Sequence, residues 1–229
     1  MGAAAPLEIV SHPSPSFGPR RDGARPDMIV LHYTAMESAG AALERLCDAG
    51  AEVSAHYLIC ERGRVWQMVG EAERAWHAGA GRWGDVADVN SRSIGIELAN
   101  RGDHPFPEPQ MAALEELLPG IMARWNIPPE RVIGHSDMAP GRKGDPGRRF
   151  DWARLARAGL SVWPQGAAEG DFLQDAAAFG YPVGDVEDAL ILAAFRLRFR
   201  PWAEGPESAG DRAAMADLAA RWPVAALVG

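Results

Sequence analysis

The stretch GHSDMAPGRKGDPG, residues 134–147, combines a histidine, an aspartate and two cations in a short segment. His135 and Asp145 stand near its two ends, and Arg142 and Lys143 lie between them. Glycine and proline punctuate the segment and apolar side chains are scarce, which indicates a shaped loop and not an element of the core. A loop with this chemistry is typical of a binding site.

A second histidine, His32, ends the first predicted strand, in the sequence VLHYT. A lone histidine at such a position is more often structural, and the spacing alone leaves that alternative open. Together with His135 and Asp145 it would supply three protein ligands and leave the fourth position of a tetrahedral Zn²⁺ open, as catalytic zinc sites do. The pattern therefore predicts a catalytic zinc site.

A zinc ion that polarises a carbonyl and acidifies water needs a proton-handling group and a group that stabilises an oxyanion. Glu97, in the predicted strand SIGIELAN, shares one strand face with Gly95 and Ala99, which leaves room for a ligand above the sheet. Lys143 lies close to Asp145, where its ammonium could meet developing negative charge. The alternatives are a carboxylate paired with an arginine and a solvated loop lysine.

Further candidates for substrate binding are aromatic or basic. Trp76 and His77 open the glycine-rich loop AWHAGAGRWGD, which contains a second tryptophan, Trp83. Such a loop suits the wall of a binding groove, with packing as an equal alternative. Arg142, between the predicted zinc ligands, is the fourth candidate. His56, in SAHYLI, is predicted instead to be a hydrogen-bonded core histidine.

Composition restricts the class of protein. The chain has 229 residues, 47% hydrophobic and 24% charged, which is ordinary for a soluble globular protein. Its formal net charge of -8 argues against nonspecific binding to nucleic acid or to anionic membranes. No apolar run reaches the roughly 18 residues of a membrane span. Cys47 and Cys60 fit no metal-ligand spacing and are predicted to be buried thiols.

Hydrophobic periodicity predicts strands mixed with amphipathic helices. Strands are predicted at MIVLHY, in a hairpin of SAHYLIC and RVWQMV, and at SRSIGIELAN and RVIGH. Helices are predicted at ESAGAALERLCDAG, with Gly50 as its C-cap, at PEPQMAALEELLPGIMARWN, where Pro119 is expected to break or kink the helix, and at DWARLARAGL. This mixture predicts an α/β fold with a mixed central sheet flanked by helices.

The composition changes after SVWPQGAAEG, which has the character of a linker. The remaining residues contain three helical patterns, DFLQDAAAFGY, VEDALILAAFRLRFRPW and SAGDRAAMADLAARW. We therefore predict a first domain over residues 1–163, a linker over residues 164–170, and a small three-helix domain over residues 171–229. A helical segment of this size is stable only if it is well packed or docked on its neighbour.

Six motifs in this order resemble those of bacterial zinc-dependent N-acetylmuramoyl-L-alanine amidases: VLHYTAM, SAHYLI, AWHAGAGRWGD, NSRSIGIELAN, VIGHSDMAPGRKGDPG and FDWARLA. More closely, the motifs are similar to those of the AmiD/AmpD branch of the family that also contains phage T7 lysozyme and the peptidoglycan recognition proteins. The resemblance covers about residues 20–160. The C-terminal helices resemble the small peptidoglycan-binding-like domain that follows the amidase domain in the AmiD type.

The resemblance implies that His32, His135 and Asp145 are zinc ligands. It implies that Glu97 is the general base or the group that orients water, and that Lys143 stabilises the oxyanion. It also implies the fold of T7 lysozyme and the recognition proteins, followed by the three-helix domain. Those two groups generally have Cys where Asp145 stands, so the aspartate favours the bacterial branch.

The expected reaction is zinc-dependent hydrolysis of the amide between N-acetylmuramic acid and L-alanine of the stem peptide, in peptidoglycan turnover or recycling. The expected partners are muropeptides, with the 1,6-anhydro form as the expected substrate. The alternatives are a recognition protein that binds muropeptides without cleaving them, and a wall-lytic endolysin. The first 26 residues show no signal-peptide pattern and no lipobox cysteine, which predicts a cytoplasmic protein, or a periplasmic one if a native leader is missing.

Overall fold

The computed structural model describes residues 7–166 and 169–224 of the chain. The described residues divide into two compact units, one of residues 7–77 and 90–128 and one of residues 78–89, 129–166 and 169–224. The termini of the predicted domains, residues 1–6 and 225–229, and residues 167–168 of the predicted linker lie outside the described residues. The domain boundary predicted at residues 164–170 implies that the segments before and after it fold independently, and this stays a prediction.

Up to residue 128 the described chain forms seven strands and three α-helices. The strands are β1 (Ile9–Ser11), β2 (Phe17–Gly18), β3 (Met28–Tyr33), β4 (Tyr57–Ile59), β5 (Val65–Gln67), β6 (Arg74–Ala75) and β7 (Ser93–Leu98). The helices are α1 (Ala39–Cys47), α2 (Val89–Arg92) and α3 (Glu108–Trp125).

Five of these strands lie in one sheet in the order β1-β5-β4-β7-β3. Strands β3 and β4 both pair in parallel with β7, and β1 pairs in parallel with β5. Strands β4 and β5 pair antiparallel, which confirms the predicted hairpin. The first four residues of β3 are fully buried, as expected for a strand in a mostly parallel sheet covered on both faces. The predicted α/β fold with a central sheet flanked by helices is therefore confirmed.

Helices α1 and α3 correct two details of the sequence-based prediction. α1 begins after Ser38, whose hydroxyl accepts a hydrogen bond from Ala41 N, but it ends at Cys47. The predicted C-cap at Gly50 is wrong because the Asp48 carboxylate accepts from Gly50 N and starts a separate 3-10 turn. The predicted break at Pro119 is wrong, because α3 is continuous over 18 residues and its buried apolar face outweighs the single lost hydrogen bond. The predicted kink stays a prediction.

From residue 129 the described chain forms one short strand and five α-helices. They are β8 (Val132–Gly134), α4 (His135–Met138), α5 (Trp152–Arg157), α6 (Phe172–Phe179), α7 (Asp188–Phe199) and α8 (Ala209–Arg221). α6, α7 and α8 confirm the three helices predicted after the linker. Residues 129–163 belong to the same compact unit as these helices. The loop of residues 134–147 and the C-terminal helices therefore share one core.

Aromatic side chains fill much of this second core. Phe195 packs against Phe172 and Phe199, with ring centroids 5.3 and 5.6 Å away. Phe179 lies 5.9 Å from Phe199. Pairs of aromatic rings at such distances add stability beyond their buried area. The C-terminal helices are therefore held by a specific aromatic cluster.

Candidate functional site

His135 and Asp145 are side by side in the loop that the sequence singled out. His135 follows β8 directly and begins α4, and its Nδ1 lies 3.0 Å from Asp145 Oδ2. Ser136 N donates a hydrogen bond of 2.9 Å to the Asp145 carbonyl, so the backbone as well as the side chains closes the loop. Both residues are buried. The two ends of the predicted binding loop therefore converge.

The second ring nitrogen of His135 has its own partner. Nε2 lies 2.8 Å from the carbonyl oxygen of Ala78, which can only accept a hydrogen bond. A proton on Nε2 satisfies this carbonyl and leaves the lone pair of Nδ1 facing Asp145. Metal-binding histidines characteristically donate their other N–H to a carbonyl or a carboxylate. The hydrogen bonding of His135 therefore suits a ligand that binds through Nδ1.

His32 lies near the C-terminal end of β3 and is 1% exposed. Its Nε2 is 3.0 Å from Nδ1 of His77, whose Nε2 is 3.2 Å from the Ser93 hydroxyl. The His77 ring rests on Gly95, where a Cβ atom would lie 2.4 Å from the ring. Gly95 therefore makes room for His77, which was predicted as a groove residue and here contacts His32.

Glu97 is the register partner of His32 on the parallel strands β3 and β7. Paired residues of parallel strands point to the same face of a sheet, so this carboxylate and this imidazole share a face. Glu97 is half-buried, which keeps it accessible to a ligand. The structure thus brings together two residues that are 65 positions apart in the chain.

His32, His135 and Asp145 together form a group of potential ligands for one metal ion. One ligand atom from each lies within 4.8 Å of the others. All three are buried, at 1%, 3% and 7% exposed, in contrast to acidic clusters on protein surfaces. Imidazole and carboxylate donors, three in number, suit a divalent transition metal ion that keeps a further position for water or substrate. The donor set therefore fits a catalytic metal ion.

The two cations of the loop are placed differently. Arg142 Nη2 donates a 2.6 Å hydrogen bond to the Ala78 carbonyl, and the guanidinium lies over Gly79. Partial burial lowers the pKa of Arg142, and the nearby Asp145 carboxylate opposes that shift. Lys143 is exposed, and only its backbone N–H has a hydrogen bond, of 3.0 Å to Ala139 O, within the part of the chain that the structure describes. Arg142 therefore braces the loop, whereas the Lys143 side chain is exposed.

The two predicted groove tryptophans differ in burial. Trp76 is half-buried, and its backbone pairs with Ser54. Trp83 is only 1% exposed, and its ring meets Phe179 and Tyr181 edge-on at 5.5 and 5.2 Å. This placement fits the packing alternative for Trp83, because a buried indole offers no surface to a ligand.

Sequence reasoning missed the environment of Asp137, which follows His135 by two positions. Asp137 is fully buried and accepts hydrogen bonds of 2.8 Å from Gly134 N, Tyr181 Oη and Arg198 Nη1. Burial raises the pKa of the Tyr181 phenol, and the Asp137 carboxylate adds to that shift. Tyr181 therefore stays a donor to Asp137. An arginine inside the apolar run AAFRLRF was the available signal.

His56 has the structural role that the sequence predicted. It is fully buried, its Nδ1 accepts a 2.9 Å hydrogen bond from Gly95 N, and its Nε2 lies 3.1 Å from the Glu73 carbonyl. Burial lowers the pKa of His56 to about 3, against an opposing hydrogen bond to Glu73. His56 is therefore a neutral core residue and not a ligand.

Comparison with known families shows which family the chain belongs to. The family model for N-acetylmuramoyl-L-alanine amidase matches residues 22–148, more than half of the chain and all of the candidate site. The chain belongs to this amidase family. The match runs from the residues before β3 through the loop that holds His135 and Asp145. The family resemblance read from the six motifs is thereby confirmed.

The chain is similar in sequence to two kinds of amidase. It is 36% identical over 225 residues to N-acetylmuramoyl-L-alanine amidase AmiD of Escherichia coli, covering 83% of this chain and 80% of that protein. It is 44% identical over 103 residues to 1,6-anhydro-N-acetylmuramyl-L-alanine amidase AmpD of Haemophilus influenzae, covering 44% of this chain and 56% of that protein. The AmiD match therefore extends well beyond residues 22–148, which the family model matches.

Solved structures share the fold over most of its length. The structure of E. coli AmiD with anhydro-N-acetylmuramic acid-L-Ala-D-γ-Glu-L-Lys has a TM-score of 0.78 and 34% identity, covering 88% of this chain and 92% of that one. AmpDH3 of Pseudomonas aeruginosa, in complex with an anhydromuramic pentapeptide, has a TM-score of 0.79 and 31% identity, covering 89% of this chain and 95% of that one.

No helix of the described residues is long and apolar enough to cross a membrane.

Proposed function

We propose that this amidase hydrolyses the amide between N-acetylmuramic acid and L-alanine in muropeptides, with the 1,6-anhydro form as substrate, in peptidoglycan turnover or recycling. The proposal rests on the buried group of His32, His135 and Asp145, whose ligand atoms lie within 4.8 Å of one another. The anhydromuramyl peptides bound to AmiD and AmpDH3 support this class of substrate.

The metal ion that we propose is Zn²⁺, held by His32, His135 and Asp145. Zinc in a site with three protein ligands polarises a carbonyl and lowers the pKa of water. The donor types fit zinc, and the Nε2 contact of His135 with Ala78 suits coordination through Nδ1. The chain's own contribution is to hold these three ligands in one buried place.

Glu97 is proposed to take a proton from the attacking water. Its carboxylate shares a sheet face with His32, so it stands beside a proposed ligand without belonging to the ligand group. The water oxygen adds to the lactyl carbonyl carbon, and the bond from that carbon to the alanine nitrogen breaks. The proton returns from Glu97 to the departing amine, which leaves Glu97 ionised for the next turnover.

Lys143 is proposed to stabilise the negative charge that develops on the carbonyl oxygen. Its exposed ammonium projects from the same loop as His135 and Asp145, and its backbone is fixed by Ala139 O. A fixed positive group lowers the barrier if it interacts more strongly with the transition state than with the substrate. Trp76, His77 and Arg142 are proposed to border the bound muropeptide.

Mass analysis of the products tests the proposed reaction. Anhydromuramyl peptide in water enriched in oxygen-18 should give anhydro-N-acetylmuramic acid labelled in its lactyl carboxylate and an unlabelled peptide with a free alanine amine. Treatment with a chelator should stop the reaction, and zinc should restore it. Binding of the peptide without cleavage would favour the recognition protein, and cleavage confined to intact sacculi would favour the endolysin.

A further inference from the structure

Arg198 on α7 is almost completely buried, which is unusual for a charged side chain. Its Nη1 donates to Asp137 Oδ2 at 2.8 Å, and its Nη2 donates to the Val132 carbonyl at 2.9 Å. The guanidinium also lies over the rings of Trp152 and Phe199, 4.4 and 4.6 Å from their centroids. One side chain of the C-terminal helices therefore reaches the backbone and the carboxylate next to His135.

Burial of an ion pair is poor evidence for stability alone, because desolvation offsets much of the attraction between the charges. A pair of apolar side chains would often stabilise a core as well. What Arg198 and Asp137 add is geometry, since each makes hydrogen bonds with fixed directions. Asp137 Oδ1 is held by the Tyr181 hydroxyl at 2.8 Å, so the carboxylate is fixed at both oxygens.

These contacts fix the main chain immediately before His135. Gly134 N donates to Asp137 Oδ2 at 2.8 Å, and the Val132 carbonyl accepts from Arg198. β8 ends at Gly134 and α4 begins at His135, so the two contacts hold the strand end from which the imidazole projects. The direction of that imidazole therefore depends on a network anchored in α7.

The same helix contacts the other part of the binding loop. Gly141 has a φ of +74°, and a Cβ atom there would lie 2.6 Å from the Leu190 side chain of α7. Leu190 thus packs on the loop backbone shortly before Lys143 and Asp145. α7 therefore touches the loop near its start, through Arg198, and at its middle, through Leu190.

We propose that Tyr181 and Arg198 are positioning residues of the amidase centre, which aim His135 at the metal ion through Asp137 and the end of β8. The inference rests on the proposed function, because the orientation of the His135 imidazole matters only if it binds a metal ion. It gives the C-terminal helices a part in building the metal site, separate from any contact with glycan.

Zinc affinity and the visible absorption spectrum of the cobalt-substituted protein test this role. Tyr181→Phe removes one hydroxyl and keeps the ring, while Arg198→Met removes the charge and keeps an apolar chain. Both variants should bind zinc more weakly, by about 10-fold, the lower end of the effect of changing a direct partner of a metal ligand, because they act on His135 only through Asp137 and the end of β8. Both should alter the cobalt spectrum because the ligand geometry changes. Arg198→Lys should restore part of the affinity, since it keeps the charge but not the planar pair of donors.

Arg196→Met is the matched control on the same helix. Arg196 also pairs with a buried carboxylate, donating to Asp211 at 2.6 and 3.1 Å, but its hydrogen-bond partners among the described residues lie in α8 and the turn before it. This variant should lower the melting temperature while zinc affinity and the cobalt spectrum stay as in the wild type. Should Arg198→Met fail to fold, Tyr181→Phe and Arg198→Lys decide the question.

Two results would overturn the proposal in distinguishable ways. Folded Tyr181 and Arg198 variants with wild-type zinc affinity and cobalt spectrum would show that α7 contributes stability alone, with the proposed function intact. A wild-type chain that binds neither zinc nor cobalt would contradict the proposed metal site, and the positioning role with it.

Discussion

His32 and Glu97 are register partners on the parallel strands β3 and β7, and their side chains share one face of the sheet. Neighbouring strands lie about 4.8 Å apart, so this pairing fixes the carboxylate beside the imidazole without any contribution from loops. A rigid sheet is a suitable support for groups that must keep a fixed distance. The relationship places the proposed proton carrier next to a proposed metal ligand.

Glu97→Gln should separate proton transfer from metal binding. The amide keeps the size of the side chain but cannot accept the water's proton, so kcat should fall by about 10²–10⁴-fold. Zinc content and KM should change little, because the three proposed ligands remain. Steady-state kinetics and metal analysis on the same preparation measure both. A rate within twofold of the wild type would remove Glu97 from the mechanism.

Lys143→Ala should lower kcat and leave zinc bound. The ammonium acts on charge that develops only in the transition state, so the expected loss is about 10²–10³-fold in kcat, with little change in KM. Arg148→Ala is the control, since it removes an exposed cation a few residues further along the chain. An effect on KM alone would mean that Lys143 holds a carboxylate of the substrate.

Acid should destabilise the protein partly through His56. Burial lowers the pKa of His56 to about 3, whereas the ordinary value is 6.5. Between these values the unfolded chain binds a proton that the folded chain does not, so the free energy of unfolding falls as the pH falls. Uptake of one such proton lowers the free energy of unfolding by about 1.4 kcal/mol for each pH unit of acidification. Above pH 6.5 the contribution of His56 to the free energy of unfolding is constant.

Urea unfolding of the wild type and His56→Asn at several pH values measures this effect. The variant should lose less stability than the wild type between about pH 6 and pH 4.5, and the two should run parallel above pH 7. Identical slopes throughout the acidic range would show that His56 is not the group that takes up the proton.

A chain cut after Gly166 should fold poorly. The sequence alone predicts that residues 1–163 fold without the C-terminal helices, but the cut would remove both Tyr181 and Arg198 from Asp137. The cut also removes Phe179 and Tyr181 from the buried ring of Trp83, and each large apolar side chain that becomes exposed costs about 1.5–3 kcal/mol, a large part of the stability of a typical domain. Circular dichroism and thermal unfolding of the shortened chain measure the loss. A cooperative transition at the wild-type temperature would support the predicted domain boundary instead.

The sequence was sufficient for the parts of the fold that are governed by local patterns. Alternation and turn residues located the hairpin of β4 and β5 and the strand β7. The composition of the short loop with His135 and Asp145 was enough to predict a binding site. The pairing of His32 with Glu97 needed the strand order, which no local pattern contains. The pattern of residue types singled out the candidate site residues, and the motif resemblance supported roles for them that spacing alone left open, since they are scattered along the chain.

Other features depended on tertiary packing and were missed or left open. Trp83 looked like a groove residue because its loop is rich in glycine, but its ring packs on Phe179 and Tyr181 from a distant segment. Pro119 was expected to break or kink α3, and the break does not occur because the buried face of that helix outweighs the proline. The link from Arg198 to Asp137 spans 61 positions and carries no periodic signal.

Titration of zinc into metal-free protein, with amide hydrolysis of an anhydromuramyl peptide followed by mass analysis, tests the central claim most directly. Hydrolysis should be absent without metal, rise in proportion to zinc, and level off at about one zinc per chain. Asp145→Ala, which lacks one proposed ligand, should need more zinc to reach a lower rate. Full hydrolysis by the metal-free chain, or an intact peptide after saturation with zinc, would contradict the account.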